Sequence, residues 1–124
     1  MKNKKIITGI LALIIIVIAT VVIILNLSKV TYTKEFRYLP KYKNMLVNKF
    51  EPSKGEQLGN AVYYVSNGDY EKYLTKYQKV LEKDGWKITV DKKPVSIKTT
   101  KEKHIATINV VNADKKLMIL IWTK

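Results

Sequence analysis

The strongest constraint on this chain is an uncharged apolar run near its beginning. Residues 6–27 contain no charged side chain and consist mainly of Ile, Leu and Val. About 20 such residues are enough to cross a bilayer as a helix. A cleavable signal peptide has a shorter apolar core, of about 7 to 15 residues, followed by a small-residue cleavage site that is missing here. The sequence therefore predicts a transmembrane anchor over residues 6–27.

The charges beside this run bear on its orientation. Three lysines precede it within residues 1–5, and Lys29, Lys34, Arg37 and Lys41 follow it. The count is nearly balanced, but the density of charge in residues 1–5 favours a cytoplasmic tail, and long domains translocate largely regardless of charge. We therefore expect a single-pass protein of the cell membrane with its C-terminal domain outside.

Composition limits the partners. The chain has 23 Lys and Arg against 10 Asp and Glu, for a net charge of +13, which favours anionic partners. Arg37 is the one arginine, and lysine lacks the planar fork that reads guanine edges or phosphates bidentately. We therefore expect no sequence-specific nucleic-acid recognition. Without cysteine there is no disulfide, thiol nucleophile or cysteine metal site.

The rest of the chain is predicted as a stalk and one small α+β domain. Residues 28–43 mix lysines with tyrosines and are expected to form a juxtamembrane stalk, whose tyrosines either sit at the headgroup level or pack on the domain. Residues 44–124 are expected to form the domain. Its first part, residues 44–50 and 58–65, predicts a hairpin because Pro52 and Gly55 mark a loop between two apolar runs.

A helix is the best-defined element of this domain. Ser66 and Asp69 have the spacing of a capping box, and Gly85 supplies a left-handed C-terminal position. Between them, apolar side chains recur at helical spacing at Tyr70, Tyr73, Leu74, Tyr77, Val80 and Leu81. A ring-binding tyrosine stripe is the alternative to core packing for these positions.

After Gly85 the apolar period changes to two, which predicts antiparallel strands joined by short turns. The continuous run at residues 117–122 indicates a final strand that is either buried on both faces or central in the sheet. The expected fold class is thus α+β: one N-terminal transmembrane helix, followed by a small domain with one helix packed on an antiparallel sheet in the order β-β-α-β-β-β.

The passage from helix to strand carries a resemblance. Tyr77-x-x-x-Leu81-x-x-x-Gly85-Trp86, preceded by Leu39-Pro40 and a strand near Tyr63, is similar to small membrane-anchored or secreted bacterial α+β domains of unknown function. The resemblance implies this fold and an exterior location, and no site residues. The pattern has a physical basis, since Tyr77 and Leu81 share one helix face and Gly85 caps it.

The sequence shows no catalytic constellation. His104 is the one histidine and lies at the start of a predicted strand. The sequence shows no residue that would orient its ring as a general base. The serines lack an elbow motif and the glycines form no nucleotide-binding loop. We therefore expect no enzyme activity, no cofactor and no metal. Paired carboxylates for glycoside hydrolysis stay open, because their proximity is spatial.

Lysines recur along one side of the predicted helix. Lys72, Lys76, Lys79 and Lys83 follow each other at three- or four-residue steps, and Lys87 comes just beyond. They form a possible polyanion-binding surface, and the alternative is a solvated helix face.

Three functional hypotheses follow. The first is a noncatalytic interaction or accessory module, anchored in the membrane with its domain outside the cytoplasm. It would belong to the cell envelope of a Gram-positive bacterium. Its partners would be the lipid bilayer, through residues 6–27, and another envelope protein. The second is direct binding of an anionic polymer such as teichoic acid, of anionic lipid or of DNA through Lys72, Lys76, Lys79, Lys83 and Lys87. The third is a small envelope hydrolase, which would need a pocket of convergent polar groups around His104 or a carboxylate pair.

Overall fold

The computed structural model describes residues 14–18 and 29–124. Within them, six strands form one antiparallel sheet, accompanied by two short helices, residues 14–18 and α1 (Tyr70–Lys83). The strands are β1 (Leu46–Glu51), β2 (Gly59–Ser66), β3 (Lys87–Lys92), β4 (Ser96–Lys101), β5 (His104–Ala113) and β6 (Lys116–Thr123). Their spatial order is β1-β2-β6-β5-β4-β3, so β6 and β5 lie in the middle and β1 and β3 are the edges.

This architecture corrects the predicted fold class. Four strands follow α1 instead of three, and the folded unit is mostly sheet. The short turn between β3 and β4 joins two antiparallel strands, so the sheet has one strand more after α1 than the predicted order contains.

The transmembrane prediction is also overturned. Among residues 14–18 and 29–124, no helix is long and apolar enough to cross a membrane. Of the predicted anchor over residues 6–27, only residues 14–18 are described, as helix, and the remainder lies outside the described residues. The single-pass membrane location, with its outward-facing domain, was inferred from this anchor and is corrected with it.

Local chemistry sets the ends of α1. The Asp69 side chain accepts a hydrogen bond from the Glu71 N–H at 3.1 Å, so Asp69 is the N-cap. Ser66, expected to share this role, belongs to β2 instead. At the other end, Gly85 has a φ of 93°, and the Trp86 N–H donates to the Leu81 carbonyl at 3.0 Å. The buried face of α1 consists of Tyr73, Leu74, Tyr77 and Leu81.

Residues 29–45, which include the described part of the stalk predicted over residues 28–43, pack on the folded unit. Phe36 and Leu39 are buried in the core, and Tyr38, Tyr42 and Met45 pack against it. The Tyr77 hydroxyl donates to the Pro40 carbonyl at 2.5 Å. The segment thus lies with α1 on one face of the sheet, and of the two predicted placements of its tyrosines, the structure shows packing on the domain.

One face of the sheet completes the core. Alternate residues of its four inner strands are buried beneath α1 and residues 29–45: Ala61, Tyr63, Val65, Ile97, Ala106, Ile108, Val110, Leu117, Ile119 and Ile121. Because strand side chains alternate between faces, the intervening residues point to the other side. On the four inner strands, all of these residues are partly or fully exposed.

Candidate functional site

The lysine face predicted on the helix is present, but not with all its members. Lys72, Lys76, Lys79 and Lys83 are exposed on the side of α1 opposite its buried residues. No ion pair joins any of these four to an acidic side chain within residues 29–124. Lys87 is placed elsewhere. It lies on β3, opposite Thr100 of β4, and on the sheet face away from α1.

A second surface, the open sheet face, is formed by the side chains that point away from α1. Its register can be followed across all six strands, because directly opposed residues of antiparallel neighbours share a face. One complete row reads Lys49, Val62, Leu120, Asn109, Ser96 and Lys92. A parallel row reads Glu51, Asn60, Trp122, Thr107, Lys98 and Val90. In these two rows, charged side chains lie on β1, β4 and β3, and uncharged side chains, both apolar and polar, lie between them.

Further apolar side chains extend the middle of this face. Tyr64, Met118 and Val111 lie opposite one another on β2, β6 and β5. Ile105, on the same face near the other end of β5, is 41% exposed, and Val111 is 44% exposed. Such a contiguous, partly exposed apolar surface is typical of an interaction site.

The charge on the open sheet face is almost entirely positive. Its lysines are Lys49, Lys87, Lys92, Lys98 and Lys116, and Glu51 is the acidic residue that the strand register places there. Within residues 29–124 none of these lysines is paired with a carboxylate. Lys116 instead lies over the Tyr64 ring, with Nζ 3.9 Å from the ring centroid.

A third feature, the His104 pocket, lies where the β4–β5 turn meets the C-terminal end of α1 and residues 32–38. It has a volume of about 280 Å³ and is lined by Tyr32, Arg37, Tyr38, Asp84, Lys101, Glu102 and His104. The His104 ring stacks on Tyr38 with centroids 3.7 Å apart and an interplanar angle of 11°. Its Nδ1 lies 3.2 Å from the backbone oxygen of Lys124.

The one carboxylate that points inward at this pocket is already satisfied. Asp84 accepts hydrogen bonds from the Tyr32 hydroxyl at 2.5 Å, from Trp86 Nε1 at 3.2 Å and from Lys101 Nζ at 3.2 Å. Its hydrogen bond raises the pKa of Tyr32, with smaller contributions from burial and from the Asp84 charge. A carboxylate held by three donors is a poor general base, because its lone pairs are committed.

The described chain offers little for catalysis or metal binding. His104 lies in a pocket, as the hydrolase hypothesis requires, but no Ser or Thr hydroxyl lines that pocket as a nucleophile. Across residues 14–18 and 29–124, no group of three or more His, Cys, Asp or Glu side chains is placed to hold a metal ion. The pocket is therefore suited to binding a small group and shows no activated nucleophile.

The tyrosines of α1 are core residues. Tyr73 and Tyr77 are almost completely buried, and the Tyr73 hydroxyl donates to the Tyr42 carbonyl at 2.9 Å. Burial is the main cause that raises the pKa of both phenols. Of the two alternatives for this stripe, the structure shows core packing.

Tyr63 differs from them because its hydroxyl lacks a hydrogen-bond partner within the described residues. It borders a cavity of about 230 Å³ that Glu35, Lys34 and Lys41 also line. Burial, and secondarily the nearby Glu35 carboxylate, raises the pKa of Tyr63. A single bridging water would satisfy this hydroxyl.

No family model, curated protein or solved structure matches this chain. The resemblance to small bacterial α+β domains therefore stays a prediction. The surfaces must be judged on their geometry, and two of the three contain residues that sequence reasoning missed. The alternation of strand side chains between the two sheet faces could have distinguished Met118, Leu120 and Trp122 from their buried neighbours. No sequence pattern indicates that Arg37, Asp84 and His104 lie together.

Proposed function

We propose that this chain is a noncatalytic interaction module that binds an acidic protein partner on its open sheet face. The observation that carries the proposal is the row from Lys49 to Lys92, which begins and ends with lysine and has Val62 and Leu120 between them. A partner that fits this row has apolar side chains flanked by carboxylates. Burying the apolar part supplies affinity, and matching the lysines supplies orientation and a faster association rate.

Charge argues against a second copy of the chain as the partner. Two open sheet faces brought together would oppose lysine with lysine, and the net charge of +13 adds repulsion. A nucleic acid fits less well than an acidic protein. Lysine gives no bidentate base reading, and aliphatic residues such as Val62 and Leu120 are poor platforms for stacked bases.

The experiment uses a fluorescently labelled acidic peptide in which Glu alternates with Leu, and measures its binding by fluorescence anisotropy near physiological salt. One variant combines Lys49→Glu with Lys92→Glu, at the two ends of the row. Its matched control combines Lys72→Glu with Lys79→Glu on α1, which changes the net charge by the same amount. We expect roughly tenfold weaker binding for the first pair and little change for the second, because charges more than about 8 Å apart are largely screened at this salt.

An apolar variant separates the two parts of the proposal. Leu120→Gln removes apolar surface from the middle of the face without changing charge, and it should also weaken the peptide. Urea unfolding of each variant verifies that it is folded. Equal losses for the two charge-reversal pairs would mean that only net charge matters and would overturn the proposal. So would tighter binding of an oligodeoxythymidylate than of the peptide.

The helix lysines favour a second candidate, the binding of a flexible polyanion. Lys72, Lys76, Lys79 and Lys83 are exposed and without acidic partners in the described structure. Binding of this kind falls steeply with salt, because it is driven largely by counterion release. A polyanion such as polyglutamate should then lose affinity in the Lys72→Glu, Lys79→Glu variant and keep it in Leu120→Gln, the reverse of the pattern expected for the acidic peptide.

A further inference from the structure

The His104 pocket contains basic groups whose hydrogen-bonding capacity is not used by the protein. Arg37 is exposed, and its guanidinium makes no ion pair or hydrogen bond with the described chain. His104 Nδ1 faces the Lys124 backbone oxygen, which can only accept, so Nδ1 carries the hydrogen, and Nε2 has no partner among residues 29–124. Arg37 and His104 therefore both retain groups that can bind a ligand.

The imidazole ring of His104 is held in a fixed orientation. It stacks on Tyr38, whose hydroxyl is 3.1 Å from Thr123 Oγ1, and its centroid is 6.5 Å from that of the buried Trp86 ring. A binding group held by packing and hydrogen bonds loses little conformational entropy when a ligand arrives. The ring is thus preorganised.

The ionised side chains of the pocket lining balance in number, with two cations and two carboxylates. The Asp84 carboxylate is matched by Lys101 and two neutral donors, so it adds little repulsion toward an incoming anion. Glu102 is the other acidic residue of the lining, and it is exposed in the β4–β5 turn. Arg37 is the remaining unpaired cation, and its planar fork matches the two oxygens of a carboxylate or phosphate.

We propose that the His104 pocket binds the oxyanion group, carboxylate or phosphate, of a small ligand. Arg37 supplies a bidentate contact, and the fixed His104 ring forms one wall of the site. The volume of about 280 Å³ is close to the lower limit of ordinary small-molecule sites. This site is on the α1 side of the sheet, so its occupancy does not depend on the open sheet face or on the function proposed for it.

The experiment exploits the fact that His104 is the one histidine of the chain. Its imidazole C–H signals in proton NMR report on the pocket directly. Inorganic phosphate and acetate are titrated separately at constant pH and ionic strength, with chloride as the balancing anion. We expect a saturable shift of the His104 signals with at least one of the two oxyanions, and the difference between them tells which group the pocket prefers.

Two variants and one control test the assignment of residues. Arg37→Gln should weaken oxyanion binding roughly tenfold or more, because it removes the charged fork. Glu102→Gln should strengthen it by removing the one unmatched carboxylate. Lys34→Gln is the control: it makes the same charge change as Arg37→Gln, but Lys34 lines the Tyr63 cavity.

The outcomes separate cleanly. Loss of affinity in Arg37→Gln with retention in Lys34→Gln supports the site. Absence of any saturable shift with either oxyanion in the unaltered protein would overturn it. Equal weakening by Arg37→Gln and Lys34→Gln would also overturn it, because the anion would then respond to overall charge and not to this pocket.

Discussion

Tyr77 on α1 and Pro40 in the preceding segment are joined by a hydrogen bond of 2.5 Å from the phenol to the backbone carbonyl, at a completely buried position. This contact ties residues 29–45 to the helix. It also supplies a partner for a carbonyl that would otherwise be buried and unpaired, an arrangement that costs free energy. The segment before β1 is therefore part of what makes the sheet stable.

Removing this hydrogen bond should be measurable. Tyr77→Phe leaves the ring in place and the Pro40 carbonyl without its donor, so we expect the free energy of unfolding to fall by about 1 to 3 kcal/mol. Urea unfolding followed by circular dichroism measures it. Tyr70→Phe is the control, because the Tyr70 hydroxyl makes no hydrogen bond with residues 14–18 or 29–124, and it should change stability by less than about 0.5 kcal/mol. Equal effects of the two variants would contradict the role assigned to Tyr77.

The N-cap of α1 gives a second prediction. Asp69→Ala removes the acceptor for the Glu71 N–H and should cost about 1 kcal/mol of unfolding free energy. Ser66→Ala should cost much less, because Ser66 lies at the exposed end of β2 and caps nothing. Thermal unfolding of the two variants beside the unaltered chain distinguishes them. A larger loss of unfolding free energy for Ser66→Ala than for Asp69→Ala would show that Ser66 is the N-cap, as the sequence pattern suggested.

Gly59 is required by close packing. A Cβ atom there would lie 2.8 Å from the Ser53 nitrogen and 3.0 Å from both the Glu51 carbonyl oxygen and Phe36 Cε1. Because two of these are backbone atoms that cannot rotate away, Gly59→Ala should destabilise by about 1 to 3 kcal/mol. Gly55→Asn is the control: Gly55 has open space around it and a φ of 57°, which asparagine tolerates. A well-tolerated Gly59→Ala would mean that β1 and residue 53 can move apart.

Alkaline pH should destabilise the fold. Burial raises the pKa of Tyr73 and of Tyr77 above the ordinary value. Below about pH 10 both folded and unfolded chains keep these protons, so the effect is absent. Above it the unfolded chain releases protons that the folded chain retains, and the free energy of unfolding falls as pH rises.

Urea unfolding at several pH values from about 8 to about 11 measures this slope. Lysines also titrate over this pH range. The slope of the unaltered chain is therefore compared with that of Tyr73→Phe, which has the same lysines. This variant should be less stable at neutral pH, because Tyr42 loses its donor, but its stability should fall less steeply with pH. An identical slope of unfolding free energy against pH in the two proteins would show that Tyr73 does not cause the loss of stability at alkaline pH.

Trp122 can report on the charge of the open sheet face. It is partly exposed there, whereas Trp86 is only 2% exposed. Iodide should quench tryptophan emission more strongly than caesium at low salt, because the surrounding lysines attract the anion, and added salt should reduce the difference. The Trp122→Phe variant should lose most of this quenching. Equal quenching by the two ions would argue that the face is not electropositive.

The sequence pattern predicted the helix and the strand segments better than the tertiary contacts that they make. The helix was predictable because its apolar period and Gly85 are local signals, and the strand alternation was equally local. The failures were non-local. Residues 28–43 were predicted to form a stalk, yet Phe36 and Leu39 belong to the buried core.

The candidate sites show the same limit. The helix lysines were predictable from spacing alone, but Lys87 was assigned to them because the sequence does not tell which sheet face a strand residue occupies. The open sheet face depends on register across six strands, and the His104 pocket on the meeting of Arg37, Asp84 and His104 from three separate segments. These arrangements exist only once the tertiary structure has formed.

The pairing of β2 with β6 has a consequence for how the protein is made. Gly59 lies opposite Thr123 and Ser66 opposite Lys116, so the middle of the sheet joins residues that are 50 to 64 positions apart in the chain. Contacts of such separation slow folding, because a long loop must close before they form. On the ribosome, β1 and β2 must wait as a lone hairpin, which is marginal in water, until β6 has left the exit tunnel. A chain truncated before Lys116 should therefore leave the β6-facing edge of β2 unpaired.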